Sequence, residues 1–303
     1  MNFMRRHILL ALLALLLLSC GQSYSEKQRL SKEQRDQQRR EDSLSLKVAV
    51  LPTLDCLPLY VAADRHIFDT LGVDVHLKGF NAQIDCDEAF RKGMLEGMVS
   101  DLIRAERFHQ QGFSLRYVAS TNAYWLLISN RLARIKERSQ LGDKMVACTR
   151  FSITDYLTDA ALKGVKTKAD VFKVQINDVN LRLQMLRNNE MDALWLPEPQ
   201  ATQAQREHHP VLFDSRKLDF RAGVVVFNAA KLTDARRQQQ LRLFLKAYDR
   251  ACDSINLHGY GPYADLIQRY CKVDGNTIKA LPKLKFEHAL PPRQKDIDLA
   301  KKQ

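Results

Sequence analysis

A chain of 303 residues with 45% hydrophobic and 27% charged residues has the composition of an ordinary globular protein, with enough apolar side chain for one large or two medium domains. The formal net charge of +12 does not make it a nucleic-acid binder. Its basic clusters, RDQQRR at 35–40 and RRQQQ at 236–240, lack interleaved aromatics and any nucleic-acid motif, and read as solvated helix faces or loose attraction to anionic headgroups.

Residues 1–20 read as a targeting segment. Arg5, Arg6 and His7 form a basic start, and residues 8–18 are an apolar run too short to span a bilayer. The run ends in Leu17-Leu18-Ser19-Cys20-Gly21, which resembles the bacterial lipobox, where the cysteine is lipidated and becomes the mature N-terminus. A plain signal peptide or an uncleaved anchor are the alternatives. Diacylation of Cys20 supplies two-chain anchoring, so the body is expected outside the cytoplasm, on a membrane. Residues 21–46 form a polar tether: EKQRLSKEQRDQQRRE has almost no apolar residue and cannot bury a face.

The body opens at residues 47–68. An apolar strand with Val48 and Val50 runs through the polar loop Pro52-Thr53-Leu54-Asp55-Cys56-Leu57-Pro58 into a helix with Leu59, Tyr60, Ala62, Ala63 and Ile67 at helical spacing. Such a loop aims Thr53, Asp55 and free N–H groups at the carboxyl end of a sheet, where open α/β sheets hold ligands. A second strand is expected over 71–80, a helix over 88–96, a strand at 97–101 ending in Ser100 and Asp101, a helix over 102–111, and strands at 116–120 and 124–129. The same alternation repeats: a strand at 144–148, the polar loop TRFSITD, a helix over 155–163, a strand at 171–176 and a helix over 180–189. Strands at 191–196, leading into Pro197-Glu198-Pro199, and at 221–227 follow. Residues 235–270 read as two helices that pack back on the first lobe. The expected division places lobe one at 47–127 and 226–303 and lobe two at 128–225, with hinge strands at 120–128 and 222–227.

Two lobes with polar strand tips can bury a small molecule between them. Ser152 or Thr154 can cap a helix whose free N–H groups suit an anion. Asp55, Asp101 and Glu198, with Tyr60 and Trp195, suit a cationic or amine-bearing ring instead. Because carboxylates repel a bare anion, the leaning is towards an amine-bearing or nitrogen-heterocyclic solute. The candidate ligand-binding set is Thr53, Asp55, Tyr60, Ser100 and Asp101 from lobe one, with Ser152, Thr154, Trp195 and Glu198 from lobe two.

LPTLDCLPLYVAADRHIF followed by LGVDVHL resembles the opening of periplasmic substrate-binding proteins of the nitrate, sulfonate and thiamine-precursor group. MLEGMVSDL and LRNNEMDALWLPEPQATQA are similar to two further elements of that group. His66 and Asn189 stand where the group usually carries glycine. The resemblance implies an α/β, two-lobed, type 2 periplasmic-binding-protein-like fold with a hinge and central cleft, a small-molecule ligand, and an ABC permease as partner; a monomer is expected.

No cofactor, metal or catalytic residue is expected. The sequence carries no G-x-S-x-G, no Walker loop, no G-x-G-x-x-G after a strand and no H-E-x-x-H, and His208-His209 with His66 and His76 make no metal set. Two other readings stand beside solute binding: an enzyme of the pyrimidine-precursor synthase type, whose cysteine-rich motif is not found here, and a lipid-anchored scaffold without a ligand. Beyond Cys20, the thiols are Cys56, Cys86, Cys148, Cys252 and Cys271. Pairings of Cys56 with Cys86 and of Cys252 with Cys271 are open, as are free buried thiols.

Overall fold

Two five-stranded mixed sheets organise the computed structural model, which describes residues 44–303 with Lys32 and Gln34. The targeting segment, Cys20 and nearly all of the tether lie outside the described residues. Leu46–Gln303 forms one compact unit.

Strand β1 (Leu46–Val50) leads through a 3-10 turn into helix α1 (Leu57–Asp64) and the short α2 (Ile67–Thr70), then β2 (Val75–Gly79), α3 (Gln83–Arg91), β3 (Gly97–Asp101), α4 (Leu102–Gln110) and β4 (Leu115–Ser120). The chain then crosses to β5 (Trp125–Ser129), β6 (Met145–Cys148), α5 (Ile153–Leu162), β7 (Phe172–Gln175), α6 (Val179–Arg187), β8 (Ala193–Pro197), α7 (Gln200–Arg206) and β9 (Val211–Asp214). It returns as β10 (Gly223–Asn228) and finishes with α8 (Ala235–His258), α9 (Ala264–Cys271), α10 (Gly275–Lys279) and α11 (Gln294–Ala300).

The first sheet has the order β2-β1-β3-β10-β4 and the second β7-β6-β8-β5-β9. In each, four strands run in one direction, and a returning strand, β10 or β5, pairs antiparallel with its neighbours on both sides. The central strands β1, β3, β8 and β10 are apolar on both faces because helices cover both, whereas edge strands β2 and β7 are partly exposed. The chain passes between sheets twice, at residues 121–124 and 215–222. Strand β5 belongs wholly to the second sheet and β10 wholly to the first.

Helices α1, α2 and α8 cover one face of the first sheet, where Phe68, Phe244 and Tyr248 share a core with Phe227 of β10. The Phe227 and Phe244 rings meet edge-on at 5.2 Å, and truncating such a buried ring costs about 3–5 kcal/mol. A second apolar cluster is continuous across both sheets, running from Phe90 and Phe108 to Val146 and Trp195. A third, with Leu183, Leu186, Leu194 and Leu196, fills the far face of the second sheet.

Several boundaries differ from expectation for local reasons. The second strand starts only at Val75 because Gly72, at φ 71°, turns the chain after α2. The helix expected over 88–96 runs earlier, Gln83–Arg91, since Gly93 at φ 72° ends it and residues 94–96 lead into β3. Helix α5 begins two residues early because the Ser152 side chain accepts from the Thr154 N–H as its N-cap. Strand β9 and helices α7, α10 and α11 carry no periodicity that marks them in the sequence. Among the described residues no disulfide forms: Cys56, Cys86, Cys148, Cys252 and Cys271 are all free and buried.

Candidate functional site

The carboxyl ends of the parallel strands in both sheets face one another, and their loops supply the walls of a cleft. From the first sheet come Thr53 and Asp55 on the β1–α1 loop, Asn81 and Gln83 at the start of α3, and Ser100 and Asp101 at the end of β3. From the second come Thr149, Ser152 and Thr154 on the β6–α5 loop, Asn177 and Val179 after β7, and Arg182 on α6. Trp125, the first residue of β5 after the crossing, adds an aromatic edge. These residues enclose a free volume of about 70 Å³.

Asp101 links the two walls. Its Oδ1 accepts the Arg104 N–H at 3.0 Å, capping α4, and the Ile153 N–H at 3.2 Å across the cleft, capping α5 as well. Burial nevertheless lifts its carboxyl to about 7, against those backbone donors. Asp55 is likewise raised by burial, opposed by the hydroxyls of Thr53 and Thr121; Thr121 donates to Asp55 Oδ2 at 2.9 Å. The crowding that places Thr121 there depends on Gly223, where a Cβ would stand 2.2 Å from the Thr121 hydroxyl.

Arg182 is the buried cation of the opposite wall, 2% exposed. It donates to Ile176 O at 2.7 Å, Trp195 O at 2.9 Å and Thr149 Oγ1 at 2.6 Å, all neutral acceptors. Burial pulls its pKa down to about 10, so it stays charged at neutral pH. The hydroxyls of Ser152 and Thr154 brace the loop: Ser152 donates to Thr149 O at 2.6 Å, and Thr154 Oγ1 accepts the Thr149 N–H at 2.8 Å. Gln83 Nε2 donates to Ser100 Oγ at 3.3 Å. Further contacts hold the walls together: Leu54 N–H to Glu198 O at 2.8 Å, Gln200 Nε2 to Pro52 O at 2.8 Å, and a bridge between Ala82 and Asp178.

Of the residues singled out in the sequence, Thr53, Asp55, Ser100, Asp101, Ser152 and Thr154 meet on this cavity. Three do not. Tyr60 turns into the first lobe's core, stacked on Tyr270 at 4.0 Å with its hydroxyl donating to Leu51 O. Trp195, on β8, is fully buried against α5 and donates to Thr158 Oγ1 at 2.9 Å. Glu198 spends both oxygens on protein donors, the Tyr124 hydroxyl at 2.7 Å and the Thr202 N–H at 3.0 Å, and borders only a small side pocket shared with Asp55. In a strand buried on both faces, alternation does not say which side chain reaches the tip, so the pattern around Trp195 could not tell cleft from core. Arg182 gives no signal in the sequence because it sits inside a helix, with no loop to mark it. Among the described residues no group of three His, Cys, Asp or Glu is placed to hold a metal, and no helix is long and apolar enough to cross a membrane.

Two mixed sheets joined by two crossings, with strand-tip loops of both closing on one cavity, define the two-lobed periplasmic-binding-protein fold. The chain belongs to the NMT1-like family, whose model matches residues 39–260. Solved structures with the same fold include the alkanesulfonate-binding protein SsuA from Xanthomonas axonopodis pv. citri bound to MOPS, at TM-score 0.69 and 13% identity over 84% of this chain and 89% of that one. The periplasmic nitrate-binding protein NrtA from Synechocystis PCC 6803 aligns at TM-score 0.65 and 12% identity, over 82% of this chain and 74% of that one. The zinc-bound ligand-binding component of an ABC-type import system from Staphylococcus aureus aligns at TM-score 0.63 and 16% identity, over 77% and 81%. No curated protein matches the chain. His66 and Asn189, which replace the group's usual glycines, have φ of 55° and 62°. Both positions need the left-handed region, which glycine occupies freely and Asn and His tolerate better than most residues.

Proposed function

We propose that this protein is the lipid-anchored, extracytoplasmic solute-binding component of an ABC importer, capturing a small molecule between its lobes and passing it unchanged to a permease. The observation that carries the reading is the convergence of polar strand-tip side chains from both sheets, with half-buried Asp55 and buried Asp101 facing a cavity that Arg182 closes from the other lobe. Solved proteins of this fold whose names describe sulfonate, nitrate and ABC-import ligand binding support it. Carboxyls opposite a guanidinium favour a solute with both donor and acceptor groups, such as an amine-bearing or nitrogen-heterocyclic molecule, oriented by Asp55 and Asp101. Closure follows from contacts available only when both walls meet, a shift of population towards the closed form.

One observation favours a ligand-free scaffold instead: the inner free volume of about 70 Å³ admits only a small head group. Native mass spectrometry of the protein purified without refolding separates the two. A small molecule released on denaturation, with unchanged mass after incubation, supports capture without chemistry, and Asp55→Ala should then retain less of it by about tenfold or more. A clean ligand-free mass, together with no thermal shift from amines, pyrimidines or sulfonates, would leave the scaffold reading.

A further inference from the structure

A groove of about 350 Å³ lies beside the inner cavity and shares Thr149 and Asn177 with its lining. Four arginines line it, Arg91, Arg104 and Arg107 from the first lobe and Arg150 from the second, against two carboxylates, Asp87 and Glu88. The carboxylates are already engaged: Glu88 pairs with Arg91 at 2.6 Å, and Asp87 pairs with Arg104. Arg107 and Arg150 have no carboxylate partner among the described residues. Their guanidinium groups lie 4.2 and 5.4 Å from the centre of the Phe151 ring, one from each lobe. Arg104 is 8% exposed, yet its buried Nε has no hydrogen-bond partner. That Nε is enclosed and Nη2 is taken by Asp87, so Arg104 adds its charge behind the groove while Arg107 and Arg150 present theirs to it. Burial and the neighbouring Arg107 both act to lower the pKa of Arg104, which falls to about 10, and a bound anion would reverse that strain.

We infer that this groove is an oxyanion subsite, in which Arg107 and Arg150, backed by the charge of Arg104, hold a phosphate, sulfonate or carboxylate group while the inner cavity holds the rest of the solute. The assignment rests on the solute-binding reading and adds to it the chemical class of the solute: a molecule with a small hydrogen-bonding head and an anionic tail. The planar, forked guanidinium suits such groups through paired N–H donors. Because Arg107 and Arg150 come from different lobes, an anion between them also favours closure.

The test uses the full-length protein in detergent, titrated calorimetrically with inorganic phosphate, sulfate and acetate at low ionic strength. Saturable binding of at least one probe is expected, weakened about tenfold or more in Arg107→Gln/Arg150→Gln and weakened further by added salt. The exposed Arg150→Glu, whose folding should be undisturbed by circular dichroism, should abolish it. Absence of binding by all three probes, or equal binding in the double variant, overturns the subsite. If the molecule released from the native protein carries an oxyanion and the double variant loses it, the anion is the tail of the solute. If a neutral molecule is released while phosphate still binds in the groove, the subsite stands and takes a free anion. If nothing is released and no solute binds, but phosphate binding depends on the arginines, the capture reading fails while the subsite survives.

Discussion

Asp101 ends β3, caps α4 and reaches across the cleft to α5, so its charge state bears on folding and closure together. Its folded-state pKa of about 7 lies above the ordinary value of about 3.9. The folded form therefore holds its proton more tightly, a contribution complete below about pH 4 and lost as pH rises through about 7. Thermal melts should fall between pH 5 and pH 8, and Asp101→Asn, which keeps an acceptor for both N–H groups but cannot ionise, should flatten that part of the profile. A wild-type profile that rises over this interval would mean the backbone donors outweigh burial. Arg182 is the other decisive side chain. Arg182→Met removes three hydrogen bonds from a fully enclosed position and should cost about 2–4 kcal/mol in urea denaturation; a loss under about 1 kcal/mol would contradict its placement.

The crossings and turns make the case for elements. Gly223 begins β10 where Thr121 and Ala123 press close, and Gly97 begins β3 where a Cβ would lie 2.9 Å from the Phe227 ring. Both Gly→Ala variants should lose about 1–3 kcal/mol through overpacking. Only Gly223→Ala should also weaken solute retention, because it displaces the Thr121 hydroxyl from Asp55; equal retention by both variants would sever that link. At His66, Gly should be within about 1 kcal/mol of wild type, since relief of left-handed strain and the entropy of glycine nearly offset. His66→Val should cost about 1–2 kcal/mol more by the same denaturation measurement. Elements with strong periodicity, β3 and α4 among them, are legible in the sequence almost to the residue. Strand β9 is not, because four residues give no readable alternation, and α7 is not, because QATQAQR buries small and polar side chains against neighbouring elements rather than an apolar stripe.

For the whole molecule, the two-lobed plan is readable in the repeated strand–loop–helix order and in the residues that resemble a known family. The cleft is readable only in part. Loop residues after strands announce themselves, whereas Arg182, Gln83 and the arginine-lined groove depend on how helices from separate lobes approach, which no local pattern encodes. Phe151 spans that approach through Arg107. An exposed cation–π contact contributes about 0.5–1 kcal/mol, so Phe151→Ala should shift the population towards an open form. Small-angle scattering should show a larger radius of gyration without solute, recovered when solute is saturating; identical curves for the variant and wild type would remove Phe151 from the closure.

Five enclosed sulfhydryls give the molecule an internal clock. Burial raises every one, Cys148 to about 11 and Cys86 and Cys252 to about 12, so the reactive thiolate is scarce in the native state. Cys148 lies on the second sheet, while Cys56, Cys86, Cys252 and Cys271 belong to the first lobe. Pulsed alkylation during chemical unfolding, read by peptide mapping, should therefore time the loss of each lobe separately without an introduced label. If Cys148 reacts ahead of the other four, the second lobe melts while the first still holds.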